Sequence, residues 1–280
     1  MNFQELIFAL NEFWSENGCV ILQPYDMSVG AGTSSPATML QALEKRVWNT
    51  AYVQPCRRPT DGRYAVNPNR LQHYYQYQVL MKPSPANIQN LCLQSFDRIG
   101  ISTSKNDIRF VEDNWENPTL GAWGLGWELW CNGAEVLQYT YMQQLGGLSF
   151  DAIPCELTYG LERIAMYIQG VDNIWDLRWD ATGVLYKDIF RRPEIEFCKY
   201  NFEYANVDIL HCDFNNACQE AGSLIKEGLI YPAYDQCLKA AHAFNLLEAR
   251  RVLSVTERAS FIAKIRDLSR RCCELLRVEN

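Results

Sequence analysis

Histidine is scarce in this 280-residue chain, which has only His73, His211 and His242. Its eleven cysteines include no C-x-x-C pair and follow no regular spacing, so neither a zinc site nor a disulfide framework is expected. They read as small buried hydrophobes of a reducing compartment. Long apolar runs are missing too: none approaches the roughly 18 residues of a membrane-spanning helix. The opening MNFQELIFAL lacks the basic start of a secretory signal. A cytoplasmic protein is expected, with no membrane role. Internal repeats and low-complexity tracts are absent. Basic charge is in deficit, with 26 Lys and Arg against 33 Asp and Glu, a net charge of −7. Unaided nucleic-acid binding calls for excess Lys and Arg at the phosphates. Either this chain binds none, or another chain supplies most of that grip.

What is present is an ordinary globular composition, 48% hydrophobic and 21% charged, enough for one large domain or one domain with a smaller companion. The first element is an amphipathic helix, capped by Asn2 with Glu5 completing a capping box, and Gly18 is its expected stop. Val20–Leu22 reads as a short strand ended by Pro24, and residues 28–38 (SVGAGTSSPAT) as a loop. Two strands between Ala51 and Leu80 flank a polar loop. A helix capped by Ser84, with Pro85 in its first turn, runs to Gly100. Asn132-Gly133 joins WELWC to AEVLQYTYM as a type I′ hairpin. Thr158 to Gln169 reads as a buried helix. Strand signals fade after about residue 180, and the last helix starts at a Ser254–Glu257 capping box. The expectation is an α+β domain over 1–180 and a helical domain over 181–280.

Two stretches carry chemistry. Arg57, Arg58, Arg63 and Arg70 fall within fourteen positions of an otherwise acidic chain, beside His73 and Tyr74. Guanidinium forks hold phosphate oxygens in pairs, and an adjacent aromatic ring can stack on a purine. In TYGLERIAMYI, Arg163 stands in the first turn of an apolar helix, where the helix end is already positive. It needs an anion there, a ligand phosphate or a protein carboxylate such as Glu162.

In this order, the stretches resemble the motifs of class II aminoacyl-tRNA synthetases. Arg57-Arg58 through Tyr74 is similar to motif 2, GLER to motif 3, and Gly18–Pro24 to motif 1. VGAGTSSP, VQPCRRPTDGRY, NPNRLQHYYQ and FVEDNWENPTLGAWGLGWE resemble, within that class, the α-subunit family of the bacterial two-subunit glycyl-tRNA synthetases. The likeness spans nearly the whole chain.

That resemblance implies an antiparallel sheet flanked by helices, followed by an all-α C-terminal domain. It implies glycine activation by ATP, with Mg²⁺, and transfer to the 3′ end of glycine tRNA. Arg58 or its neighbour Arg57 would hold the α-phosphate and Arg163 the γ-phosphate side, with Arg70 or His73 helping. Tyr74 would stack on adenine. The acid of this loop is Asp61, three residues after Arg58, where the class has Arg-x-Glu. Glu135 and Gln138 match the spacing of the metal-binding pair, although an ideal strand puts positions three apart on opposite faces, so a bulge is required. Glu156 would pair with the ammonium of glycine, with Gln76, Gln78 and Thr158 beside it and Trp115 as the wall that excludes side chains. Implied partners are a second α chain through motif 1 and a larger tRNA-binding β subunit, in an α₂β₂ assembly.

Overall fold

The structure, a computed structural model, describes residues 1–279. Helix α1 (Phe3–Glu16) opens at a reciprocal capping box between Asn2 and Glu5 and buries Phe3, Leu6, Leu10 and Phe13. Gly18 follows at φ 84°, as expected of a residue that reverses the chain behind a helix. Strand β1 (Val20–Ile21) then pairs in parallel with β2 (Trp48–Arg57).

Between them, residues 28–38 are not a surface loop. They hold a 3₁₀ turn (Gly32–Ser34) and the one-turn helix α2 (Pro36–Met39), every residue of which is buried. Small side chains that read as turn formers here permit close packing instead. Strand β3 (His73–Lys82) runs antiparallel to β2, with Cys56 opposite Tyr74 and Gln54 opposite Gln76. Helix α3 (Ile88–Arg98) starts at cap Asn87, later than expected, because Ile88 N–H bonds Pro85 O at 3.1 Å and closes a separate turn first.

Strands β4 (Ile108–Glu112) and β5 (Trp115–Asn117) both pair with β6 (Ala122–Cys131). The Asn132-Gly133 turn, at φ 50° and 86°, leads into β7 (Ala134–Leu145). Strand β8 (Leu148–Ser149) hangs on β7. Cys155–Gly160 form β9, inserted between β3 and β7, and only then does helix α4 (Leu161–Gln169) begin. The helix expected from Thr158 therefore starts three residues later: one apolar run serves first as strand and then as helix, which periodicity alone does not separate. Among the described residues the sheet order is β1-β2-β3-β9-β7-β6-β4, antiparallel apart from β1.

The remaining chain is helical: α5 (Tyr186–Lys199), α6 (Val207–Lys226), α7 (Ile230–Ala249) and α8 (Val255–Glu279), the last capped by Ser254 and Glu257. One face of the sheet packs on α1, α3, α4 and α5 in the larger core. A second core joins α6, α7 and α8 to Met39, Leu40 and Leu43 and to Leu120 and Leu145. Ten of the eleven cysteines are buried, and all are free. No described helix is long and apolar enough to cross a membrane.

Candidate active site

Side-chain alternation along the central strands builds one polar floor. Register aligns Gln76 with Gly160, Gln78 with Thr158, and Thr158 in turn with Gln138. Arg58, Tyr74, Gln76, Glu156, Thr158 and Gln138 therefore share a face and line a cavity of about 350 Å³. Asp61, Arg70, Trp115, Glu135 and Arg163 line it too. Gln78 sits beneath, fully buried, with its Oε1 2.9 Å from the Thr158 hydroxyl.

Two residues of the sequence-derived ATP set lie elsewhere. Arg57 and His73 are directly opposed in register and project from the other side of the sheet, where Arg57 packs over Phe197 at 4.5 Å. A one-residue step reverses the face, so of the two adjacent arginines only Arg58 reaches the cavity. Its Nε donates to Gly30 O at 3.0 Å and its guanidinium lies 5.1 Å from the Tyr74 ring centroid. The Tyr74 hydroxyl donates to the same carbonyl at 3.1 Å, so one ring face and the hydroxyl of Tyr74 serve to fix Arg58.

Glu135 and Gln138 do share the cavity, and the reason is a bulge. Trp130 pairs with Glu135 while Leu129 pairs with Leu137, leaving Val136 as the extra residue. The insertion turns positions three apart onto one side. Arg163 Nη1 reaches Glu135 Oε2 at 2.7 Å across the exposed rim. Glu162 is not its partner: it turns into the core, accepts Tyr75 N–H at 2.8 Å and Tyr186 O–H at 3.0 Å, and burial pushes its pKa up to about 7.

Glu156 lies at the bottom, 3% exposed. Its Oε1 accepts the Thr33 hydroxyl at 2.7 Å, and the Thr158 hydroxyl is 3.1 Å away. Its Oε2 has no hydrogen-bond partner. Burial raises the carboxyl to about 7 despite the neighbouring Thr33, Gln78 and Thr158. A buried acceptor without a donor is costly until a cation supplies one. Thr33 went unnoticed in the sequence because its segment looked like loop. It is placed by Gly32, whose N–H bonds Gln76 Oε1 at 2.8 Å and whose missing Cβ lets the turn lie against Gln78.

Among the described residues no three His, Cys, Asp or Glu side chains converge on a metal position. Glu135 and Gln138 still offer two hard oxygens on one face, the number a magnesium ion takes from protein when phosphates complete its shell.

An antiparallel sheet flanked by helices, with Arg58 at the end of its polar floor and Arg163 at the head of α4, is the fold of a class II aminoacyl-tRNA synthetase. The family model described as glycyl-tRNA synthetase alpha subunit matches residues 3–279, and the chain belongs to that family. Two solved structures of pyrrolysyl-tRNA synthetase from Desulfitobacterium hafniense are similar in outline. They are 12% and 11% identical, cover 66% of this chain and 74% and 76% of their own, and give TM-scores of 0.47 and 0.45. Membership of the glycyl-tRNA synthetase alpha subunit family makes the chain a glycine–tRNA ligase α subunit: it activates glycine with ATP to glycyl-adenylate and, with a β subunit, passes glycine to tRNA.

Proposed function

We propose that the cavity over β3, β9 and β7 holds glycine at Glu156 and ATP along Arg58 and Arg163. The observation that carries this reading is the unpartnered Oε2 of Glu156 beneath two hydroxyls. Glycine offers only an ammonium and a carboxylate, and a buried anion of this kind fits the first. Gln76, Thr33 and Thr158 close the floor, Gln78 supports Thr158 from beneath, and Trp115 would be the wall against larger amino acids.

Arg58 then faces the α-phosphate, fixed by Gly30 O and Tyr74, with Asp61 and Arg70 along the nucleotide. An oxygen of the glycine carboxylate bonds to the α-phosphorus while the bond to the bridging oxygen breaks and pyrophosphate leaves. No proton moves, because the attacking carboxylate is already ionised. The chain's contribution is placement and fixed positive charge. Glu135 and Gln138 would hold Mg²⁺, which neutralises charge on the phosphates. Glycine-dependent ATP–pyrophosphate exchange is the test: Glu156→Gln should raise the glycine KM far more than the ATP KM. An equal rise in both would remove Glu156 from amine recognition.

The wider assembly belongs to the same reading. Residues 1–180 form the catalytic domain and 181–280 the partner-binding region, motif 1 pairs two α chains, and the α₂β₂ enzyme acts in the cytoplasm. Exposed Phe8 and Val20 near motif 1, and exposed Tyr204, Ile209 and Leu229 on the helical region, support contacts at both places.

A further inference from the structure

Arg57 and His73, turned away from the active-site cavity, line another one. It has a volume of about 280 Å³ and lies between the back of β3 and helix α5. Rings of Tyr75, Phe190, Phe197 and Trp175 wall it. Two hydrogen-bond donors on residues that line it are unanswered: Arg57 Nη1 is buried without a partner, and so is the indole N–H of Trp175, a residue only 5% exposed. Arg57 has no ion pair among the described residues; its guanidinium lies 4.5 Å from the Phe197 ring centroid, with Tyr75 and Glu194 near enough to act on its charge. Glu194 also lines the space, but its Oε1 already accepts Gln72 N–H at 2.8 Å and lies 3.6 Å from Cys198 Sγ. Burial also pushes its pKa up, toward the neutral acid. Burial and the nearby Arg57 hold His73 down at about 4, so its imidazole is neutral.

We propose that this cavity is a second ligand site, taking a small carboxylic acid with a flat apolar body. A carboxylate, an acceptor of N–H donors that carries charge opposite to the guanidinium, is the ligand group that suits these donors, and a guanidinium pairs with it through two parallel bonds. Aromatic walls suit a ring or other planar apolar body, and the volume is near the lower end for small-molecule sites. Nothing in the activation of glycine uses these side chains, so the site is separate from the cavity in front. The two are back to back: Arg58 N–H bonds Gln72 O at 2.7 Å, and Gln72 N–H bonds Glu194.

Benzoate titrated calorimetrically into the full chain tests this. Saturable one-to-one binding is expected, persisting when ATP and glycine are saturating. Benzamide, which has the same shape without the charge, should bind at least tenfold more weakly, as should benzoate to Arg57→Met, since a charge-assisted bond is worth about that much or more. Trp175→Phe removes the indole donor alone; weakening there keeps the test decisive if Arg57→Met does not fold. Failure to saturate at high millimolar benzoate, displacement by ATP, or unchanged affinity in a folded Arg57→Met or Trp175→Phe would overturn the proposal.

Discussion

Arg163 and Glu135 are held together at 2.7 Å, joining the first turn of α4 to the bulged start of β7. Each is assigned to a different part of the bound nucleotide, the arginine to phosphate and the carboxylate to Mg²⁺. Without ligand they neutralise one another. Arg163→Ala should lower glycine-dependent exchange about 10²–10³-fold, the scale of one lost transition-state donor. The fold should survive, because an exposed ion pair contributes only about 0–1 kcal/mol. With Mg²⁺ absent, Glu135→Gln should bind ATP more tightly than the parent, since Arg163 is released; with Mg²⁺ present the order should reverse. The same order in both conditions would separate Glu135 from the metal.

Glu156 predicts a pH profile. Its pKa of about 7 means that the free enzyme below neutrality holds a neutral acid there, which attracts no ammonium. The kcat/KM for glycine should climb about tenfold per pH unit up to 7 and then level. Glu156→Gln should lose that inflection. A wild-type profile flat from pH 5.5 to pH 7.5 (roughly the window a carboxyl near 7 controls) would contradict the buried carboxylate's role.

Gly32 is required by space, not by backbone conformation. A Cβ there would lie 2.4 Å from Gln78 Oε1 and 3.0 Å from Gln78 Cβ, and Gln78 is fully buried with nowhere to turn. Gly32→Ala should cost about 1–3 kcal/mol of stability through overpacking. It should also raise the glycine KM, since the displaced turn carries Thr33 away from Glu156. A variant with unchanged glycine KM would show that Thr33 does not position the carboxylate.

Local rules made much of the scaffold legible. Both reciprocal caps, Asn2–Glu5 and Ser254–Glu257, and the Asn132-Gly133 turn involve residues no more than three apart, and sequence spacing reveals them. Residues 28–38 were opaque because what buries them is remote in sequence: Tyr52 on β2, Gln76 and Gln78 on β3, Glu156 on β9 and Tyr234 on α7. Tyr74, Gln76, Glu156 and Thr158, singled out on β3 and β9, line one cavity, but separating Arg58 from Arg57 needs the pairing register of β2 with β3. The bulge at Val136 was required by the spacing of Glu135 and Gln138, though nothing in the sequence marked its position.

Glu162 makes stability depend on pH. Its folded pKa, about 7, lies above its ordinary 4.5, so the folded state holds the proton more tightly. Its contribution is full below about 4.5 and is lost as pH rises through 7, a change on the order of 3 kcal/mol. Thermal melts of wild type and Glu162→Gln should therefore diverge between pH 5 and pH 8 (about the span of that titration), with the variant gaining relative to wild type. A difference that stays constant across the range would mean that Glu162 does not titrate there.

The helical region should be indispensable to glycine activation as well as to partner binding. Tyr234 on α7 donates its hydroxyl to Ser34 O at 2.8 Å, next to Thr33. Met39, Leu40 and Leu43, which follow that turn, are buried in the same core as α7 and α8. Burying those three side chains contributes about 5–9 kcal/mol, comparable with the whole stability of a domain, about 5–15 kcal/mol. Deleting residues from 200 onward exposes them and frees the Thr33 turn, so exchange should disappear even when the β subunit is added. Tyr234→Phe is the gentler probe: it should keep the fold and raise the glycine KM several-fold through the loosened turn. The intact α chain alone should activate glycine weakly and charge tRNA poorly, because its net charge of −7 leaves little positive surface for phosphates, and β should restore charging. Two results would break this account: a truncated chain that retains exchange, or a purified α chain that charges glycine tRNA fully.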